Sequence, residues 1–130
     1  MTTGPQPAPI LDDEFLLRRI PKHLGWYHPG QIPLVDEQAF RPTDQDTTGL
    51  SLEREQSAGH PEFKSIEEAA QGSNPNGYLV AVLSVRELRS HGVRIEPRIE
   101  NTGPGHVEWG ASGFLDSPVS YFARATCVSN

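Results

Sequence analysis

The chain has 130 residues, 35% of them hydrophobic, with 12 prolines and 12 glycines, which fits one loop-rich domain large enough to bury a core without staples. A formal charge of −6 opposes sequence-independent nucleic-acid binding, which needs Lys and Arg to neutralise phosphates, and no apolar run approaches membrane-spanning length, so neither nucleic acid nor membrane is an expected partner. The single Cys127 excludes an intramolecular disulfide, and the first residues lack the basic start and apolar core of a secretory signal; together these predict a reducing, cytoplasmic location.

In chain order, residues 1–11 are polar and carry prolines at positions 5, 7 and 9, and read as a flexible N-terminal tail ahead of a single domain over 12–130. Phe15 to Ile20 is an apolar run with two arginines, closed by Pro21, and predicts a strand. From Pro21 to Asp46 the spacing of Pro21, Pro29, Pro33 and Pro42 excludes long elements, so Trp26, Leu34, Val35 and Phe40 are expected to anchor a folded loop. Leu50 to Arg54 alternates and predicts a strand with Leu50 and Leu52 inward, leaving Glu53, Arg54 and Glu55 as a solvated stretch.

Ser65 with Glu68 forms a capping box that opens a short helix over Ile66–Gln71. Tyr78 to Leu83 is the longest apolar run and reads as a strand buried on both faces. Ser84 and Glu87 make a second capping box, opening a two-turn helix with Val85 and Leu88 inward and Gly92 as its stop. Val93 to Glu96 alternates as a peripheral strand ended by Pro97, His106 to Gly110 alternates as another, and Ser117-Pro118 is expected to begin a terminal helix. The sum is a small α+β domain of about five short strands and three short helices.

No Gly-rich phosphate loop, paired-cysteine zinc site, nucleophile elbow or two-histidine helical zinc motif occurs in the sequence. Cys127 stands among the last four residues, where the chain is expected to fray, and is a poor nucleophile candidate. The sequence therefore favours a non-enzymatic interaction or accessory module needing no cofactor and no metal. Its unidentified protein partner would be met by the long Pro/Gly loop through Trp26, Tyr27, Phe40 and Arg41, because aromatics and Arg dominate interface energetics.

Two enzymatic alternatives stand beside it. An arginine on a first strand (Arg18 or Arg19, with Arg19 preferred), Ser51 opening a second, and Glu108 on a late strand follow an order similar to that of the Arg-Ser-Glu ADP-ribosyltransferases. That resemblance implies NAD as cofactor and a role for Arg19, Ser51 and Glu108 in holding the dinucleotide and stabilising the transition state. The chain departs from the pattern: Ser51 lacks the Ser-Thr-Ser context, the Glu-x-Glu at Glu53 and Glu55 comes early, and the position two before Glu108 is His106. The second alternative is a metal-dependent hydrolase, which requires His23, His28 and His106 to converge.

The segments Leu17-Arg-Arg-Ile-Pro21, Ala39-Phe-Arg-Pro42, Gly49-Leu-Ser-Leu52, Ser84-Val-Arg-Glu-Leu88 and Gly105-His-Val107 together resemble a group of small uncharacterised bacterial proteins. The resemblance implies a bacterial, intracellular, single-domain protein in which Arg18, Arg19, Phe40, Ser51 and His106 belong to a common design. It carries no catalytic role with it.

Overall fold

The computed structural model describes residues 9–22, 25–28, 34–40, 49–71, 77–97, 106–110 and 127–129. Its strands are β1 (Phe15–Pro21), β2 (Tyr27–His28), β3 (Leu34–Val35), β4 (Gly49–Arg54), β5 (Tyr78–Ser84), β6 (Ile95–Pro97), β7 (His106–Gly110) and β8 (Cys127–Ser129). Among the described residues there are two α-helices, α1 (Ile66–Gln71) and α2 (Val85–Ser90), and short 3-10 turns at Glu37–Phe40 and Gln56–Ala58. The α+β class expected from the sequence stands. Strands form at four of the expected places, the one expected over Val93–Glu96 runs instead from Ile95 to Pro97, and the described residues hold eight strands rather than about five; the expected terminal helix after Ser117 lies outside the described residues.

Six strands make one sheet in the order β6-β7-β4-β1-β5-β8, antiparallel at every joint, and β2 and β3 form a separate antiparallel ribbon. The sequence could not decide whether β5 and β6 are neighbours across the short α2 crossover. They share the sheet with β1, β4 and β7 between them, so the two-turn helix need not span adjacent parallel strands. β6 is an edge strand, and Pro97 at its end costs the sheet no interior hydrogen bond.

Strand alternation divides the apolar residues between two layers. On one face Leu16 and Ile20 of β1, Leu50 and Leu52 of β4, Leu79, Ala81 and Leu83 of β5 and Val107 of β7 form the main core. Val85 and Leu88 of α2, together with Val35, Ala39, Phe40 and Val93, close it. On the other face Leu17 and Val80 are covered by Ala69 of α1, with Ile66, Ala70 and Val82 half-buried around them.

Both helices start as their sequences direct. The Glu68 amide donates to Ser65 Oγ at 3.0 Å and the Ser65 amide to Glu68 Oε1 at 3.2 Å, while the Glu87 amide donates to Ser84 Oγ at 3.4 Å. After α2 the chain turns through Gly92 at φ +80°, a conformation that costs glycine nothing.

Two expectations are corrected here. Residues 9–11 are not a free tail: the Pro9 carbonyl accepts from Arg54, the Ile10 carbonyl from Arg89, and the Leu11 amide donates to Glu14. The end of the chain does not fray at Cys127, because Cys127–Ser129 pairs with Val80–Val82 as β8 and the ladder satisfies its backbone.

Candidate functional site

The site begins with the two adjacent arginines of β1. Successive residues on a strand project to opposite faces, so Arg18 and Arg19 serve different neighbourhoods. Arg19 lies under α1, donating from Nε to the Ala69 carbonyl at 2.9 Å and standing 5.7 Å from the Tyr78 ring centroid. Its cation sits at the negative end of that helix. Arg18 projects on the main-core face and donates from Nε to the Ala39 carbonyl at 2.7 Å and from Nη1 to the Ser51 carbonyl at 3.3 Å.

The second bond matters because of where it falls. On its β5 side β1 is paired along its whole length, from Phe15 with Ser84 to Pro21 with Tyr78. On its β4 side the register comprises only Leu16 with Arg54 and Leu17 with Glu53. Beyond that point the Arg18 guanidinium donates to the Ser51 carbonyl.

β4 is then fully paired with β7 from Gly49–Gly110 to Glu53–His106, which sets Ser51 opposite Glu108 and Glu53 opposite His106. β6 adds Glu96 opposite Glu108. Ser51 and Glu108 are therefore cross-strand partners at positions on the sheet face of Leu17 and Arg19, whereas Arg18 on the main-core face reaches only the Ser51 carbonyl. Ser51 and Glu53 alternate with the core leucines of β4. Ser51 is half-buried, and Glu53 is 8% exposed.

Of the arginines considered from sequence, Arg18 reaches Ser51, and Arg19 packs under α1. The interface residues fare unevenly. Trp26 and Tyr27 are half-buried against the main core. Phe40 has no exposed surface at all and is corrected from a contact residue to a core residue, since it belongs to the main core cluster with Leu16, Leu50 and Leu52. Arg41 lies outside the described residues, as does His23. His28 belongs to the small ribbon and His106 to the large sheet. Among the described residues no three His, Cys, Asp or Glu side chains group as metal ligands.

Sequence reasoning missed one buried polar pair. Arg54, expected in a solvated stretch, is 1% exposed, as is Glu14. Arg54 Nε donates to Glu14 Oε1 at 2.8 Å and Nη2 to Oε2 at 2.6 Å, a two-pronged pairing, and Nη2 also reaches the Pro9 carbonyl at 2.9 Å. The Phe63 ring covers the guanidinium, its centroid 4.3 Å from Cζ. Burial pushes the Glu14 carboxyl up, but the Arg54 hydrogen bonds, the Leu11 amide, the Arg54 charge and His60 outweigh it and hold the group below the usual carboxylate value.

The signal was present in the alternation itself. Position 54 continues the inward series of Leu50 and Leu52.

No family model matches the chain, and no curated protein or solved structure does.

Proposed function

We propose that the protein binds a nicotinamide dinucleotide beside the opening between β1 and β4 and breaks or transfers its ADP-ribosyl group. The observation that carries this reading is the register that sets Ser51 opposite Glu108, on the sheet face that also carries Arg19. These are the residue types, in the chain order, by which the sequence resembles Arg-Ser-Glu ADP-ribosyltransferases. Their positions adjoin on neighbouring strands instead of scattering.

The chemistry suits these residues. The Arg19 guanidinium puts a permanent positive charge on the face of these positions, where an anionic pyrophosphate would be recognised. A carboxylate at Glu108 stabilises the positive charge that builds on the ribose as the glycosidic bond to nicotinamide loosens. The Ser51 hydroxyl offers a hydrogen bond to sugar or amide. Arg18, with two of its nitrogens on main-chain carbonyls, fixes the Ser51 strand from the main-core face, and Arg19 keeps the arginine's role.

The test is incubation of purified protein with NAD, following nicotinamide release by chromatography and binding by calorimetry. Glu108→Gln is expected to cut release by about 10²–10³-fold while binding persists. Arg19→Ala is expected to weaken binding. No binding at millimolar NAD, with no nicotinamide released, would sink the reading.

A second reading, the non-enzymatic interaction module, is favoured by Trp26 and Tyr27, half-buried aromatics whose remaining surface faces outward. Its partner would be a protein and its contact would exclude Phe40. Retained partner capture in a Glu108→Gln variant and its loss in Trp26→Ala and Tyr27→Ala would support it.

A further inference from the structure

Two cations gather at the end of α1. Arg19 donates from Nε to the Ala69 carbonyl at 2.9 Å, which commits one of its nitrogens and leaves Nη1 and Nη2 without a hydrogen bond among the described residues. Lys22 is exposed and reaches the same helix end from the other side of β1. A Cβ added at Gly77 would stand 3.4 Å from the Ala70 carbonyl and 3.9 Å from Lys22 Nζ, so the ammonium folds over a glycine, beside space that a larger residue would fill. Tyr78, the next residue, sets its ring 5.7 Å from the Arg19 guanidinium carbon, and both of these side chains are half-buried.

Neither cation has a salt bridge among the described residues, whereas Arg54, Arg89 and Arg94 each have one. The chain carries 17 acidic residues against 11 Lys and Arg, so carboxylates are in excess, and two cations left together without one run against the composition. The carbonyls at a helix C-terminus amount to about half a negative charge, which leaves most of the two positive charges unanswered.

Resting on the ADP-ribosyl reading, we infer that Arg19 and Lys22 together hold the pyrophosphate of the ligand, and that the site therefore selects two linked phosphates over one. A guanidinium donates two-pronged to the oxygens of one phosphate, and the ammonium adds a point charge for the next. Tyr78 is a positioning residue. With Nε held by Ala69 and the ring beside the guanidinium, the fork is fixed before the ligand arrives, which lowers the ordering cost of binding.

Sheet order gives the ligand a direction. β1 lies between β4, which carries Ser51, and β5, which begins at Tyr78 opposite Pro21. A pyrophosphate running from Arg19 to Lys22 heads towards β5. The nicotinamide ribose then falls on the Ser51 side and the adenosine on the Tyr78 side.

The test is calorimetry at low ionic strength with NAD, ADP-ribose and ADP against AMP and nicotinamide mononucleotide. It compares wild type with Lys22→Gln, Arg19→Ala, Tyr78→Phe and Tyr78→Leu, each checked for folding by circular dichroism. Wild type is expected to bind the three diphosphates about tenfold more tightly than the two monophosphates, the value of one charge-assisted hydrogen bond. Lys22→Gln is expected to lose that preference, weakening the diphosphates about tenfold and the monophosphates little, with the difference shrinking as salt is raised. Tyr78→Leu is expected to weaken every phosphate ligand, and Tyr78→Phe, which keeps the ring, to bind as wild type does. Lys22→Gln with wild-type affinity for NAD beside a weakened Arg19→Ala overturns the inference, as does AMP bound as tightly as ADP; the dinucleotide reading survives both. Absence of binding of NAD and ADP alike by wild type overturns the two together.

Discussion

Truncating one side of the Glu14–Arg54 pair is the sharpest test of how this fold is held. Both groups are 1% exposed, and two charged hydrogen bonds of 2.8 and 2.6 Å join them. Replacing Glu14 by Gln leaves a buried guanidinium without its counter-charge, and replacing Arg54 by Met leaves a buried carboxylate whose remaining main-chain donor is the Leu11 amide at 2.8 Å. Breaking a buried pair from one side costs about 3–5 kcal/mol, and two charge-assisted hydrogen bonds at about 1.5–3 kcal/mol each give the same range. For a domain whose total stability is about 5–15 kcal/mol that is a large fraction. It corresponds to a drop of about 11–18 °C in Tm for a chain of this length.

The pair also ties residues 9–11 across the sheet end, so the loss is expected to be accompanied by faster amide exchange at Leu11, whose N–H donates to Glu14. Urea unfolding followed by circular dichroism measures each single variant and the Glu14→Leu/Arg54→Met double variant. The double variant is expected to recover most of the loss, because it removes both charges and leaves an apolar contact beneath Phe63. Single variants that each cost less than about 1 kcal/mol, the value of a surface pair, would refute the reasoning.

Other outcomes follow from the same geometry. Because the Glu14 carboxyl is held below its unfolded value, its contribution is complete above about pH 4.5 and is lost as pH falls through the folded value; Glu14→Gln is expected to flatten the acid limb of a stability-against-pH curve. Phe40→Ala is expected to cost about 3–5 kcal/mol in urea unfolding, the signature of a core ring rather than a contact residue. Ser65→Ala removes the acceptor of the Glu68 amide and is expected to cost about 0.5–2 kcal/mol, read as a shift of the urea midpoint. Gly92→Ala meets no atom but must hold a left-handed φ of +80°, so about 1 kcal/mol of backbone strain is expected in the same measurement.

Much of the fold was legible in local sequence. Ser65 and Ser84 each stand before a short amphipathic run with a glutamate three residues on, and that chemistry is complete within one helical turn. Leu50 and Leu52 announced their inward face by alternation, and Gly92 its turn by lacking a Cβ. These features need no knowledge of what lies across the sheet.

What the tertiary structure decided depends on residues distant in the chain. Whether Phe40 is a contact or a core residue turns on the strands beneath it, which local periodicity in a proline-rich segment does not specify. Arg54 looked solvent-facing because a charge flanked by two glutamates usually is, and only Glu14, 40 positions earlier, makes its burial tolerable. Arg18 and Arg19 are indistinguishable as neighbours in sequence. The sheet order sends one to the Ser51 carbonyl and the other to the end of α1. The pairing of Ser51 with Glu108 and of Glu53 with His106 is likewise a matter of register, and register is fixed by the whole burial pattern of a sheet rather than by any one strand.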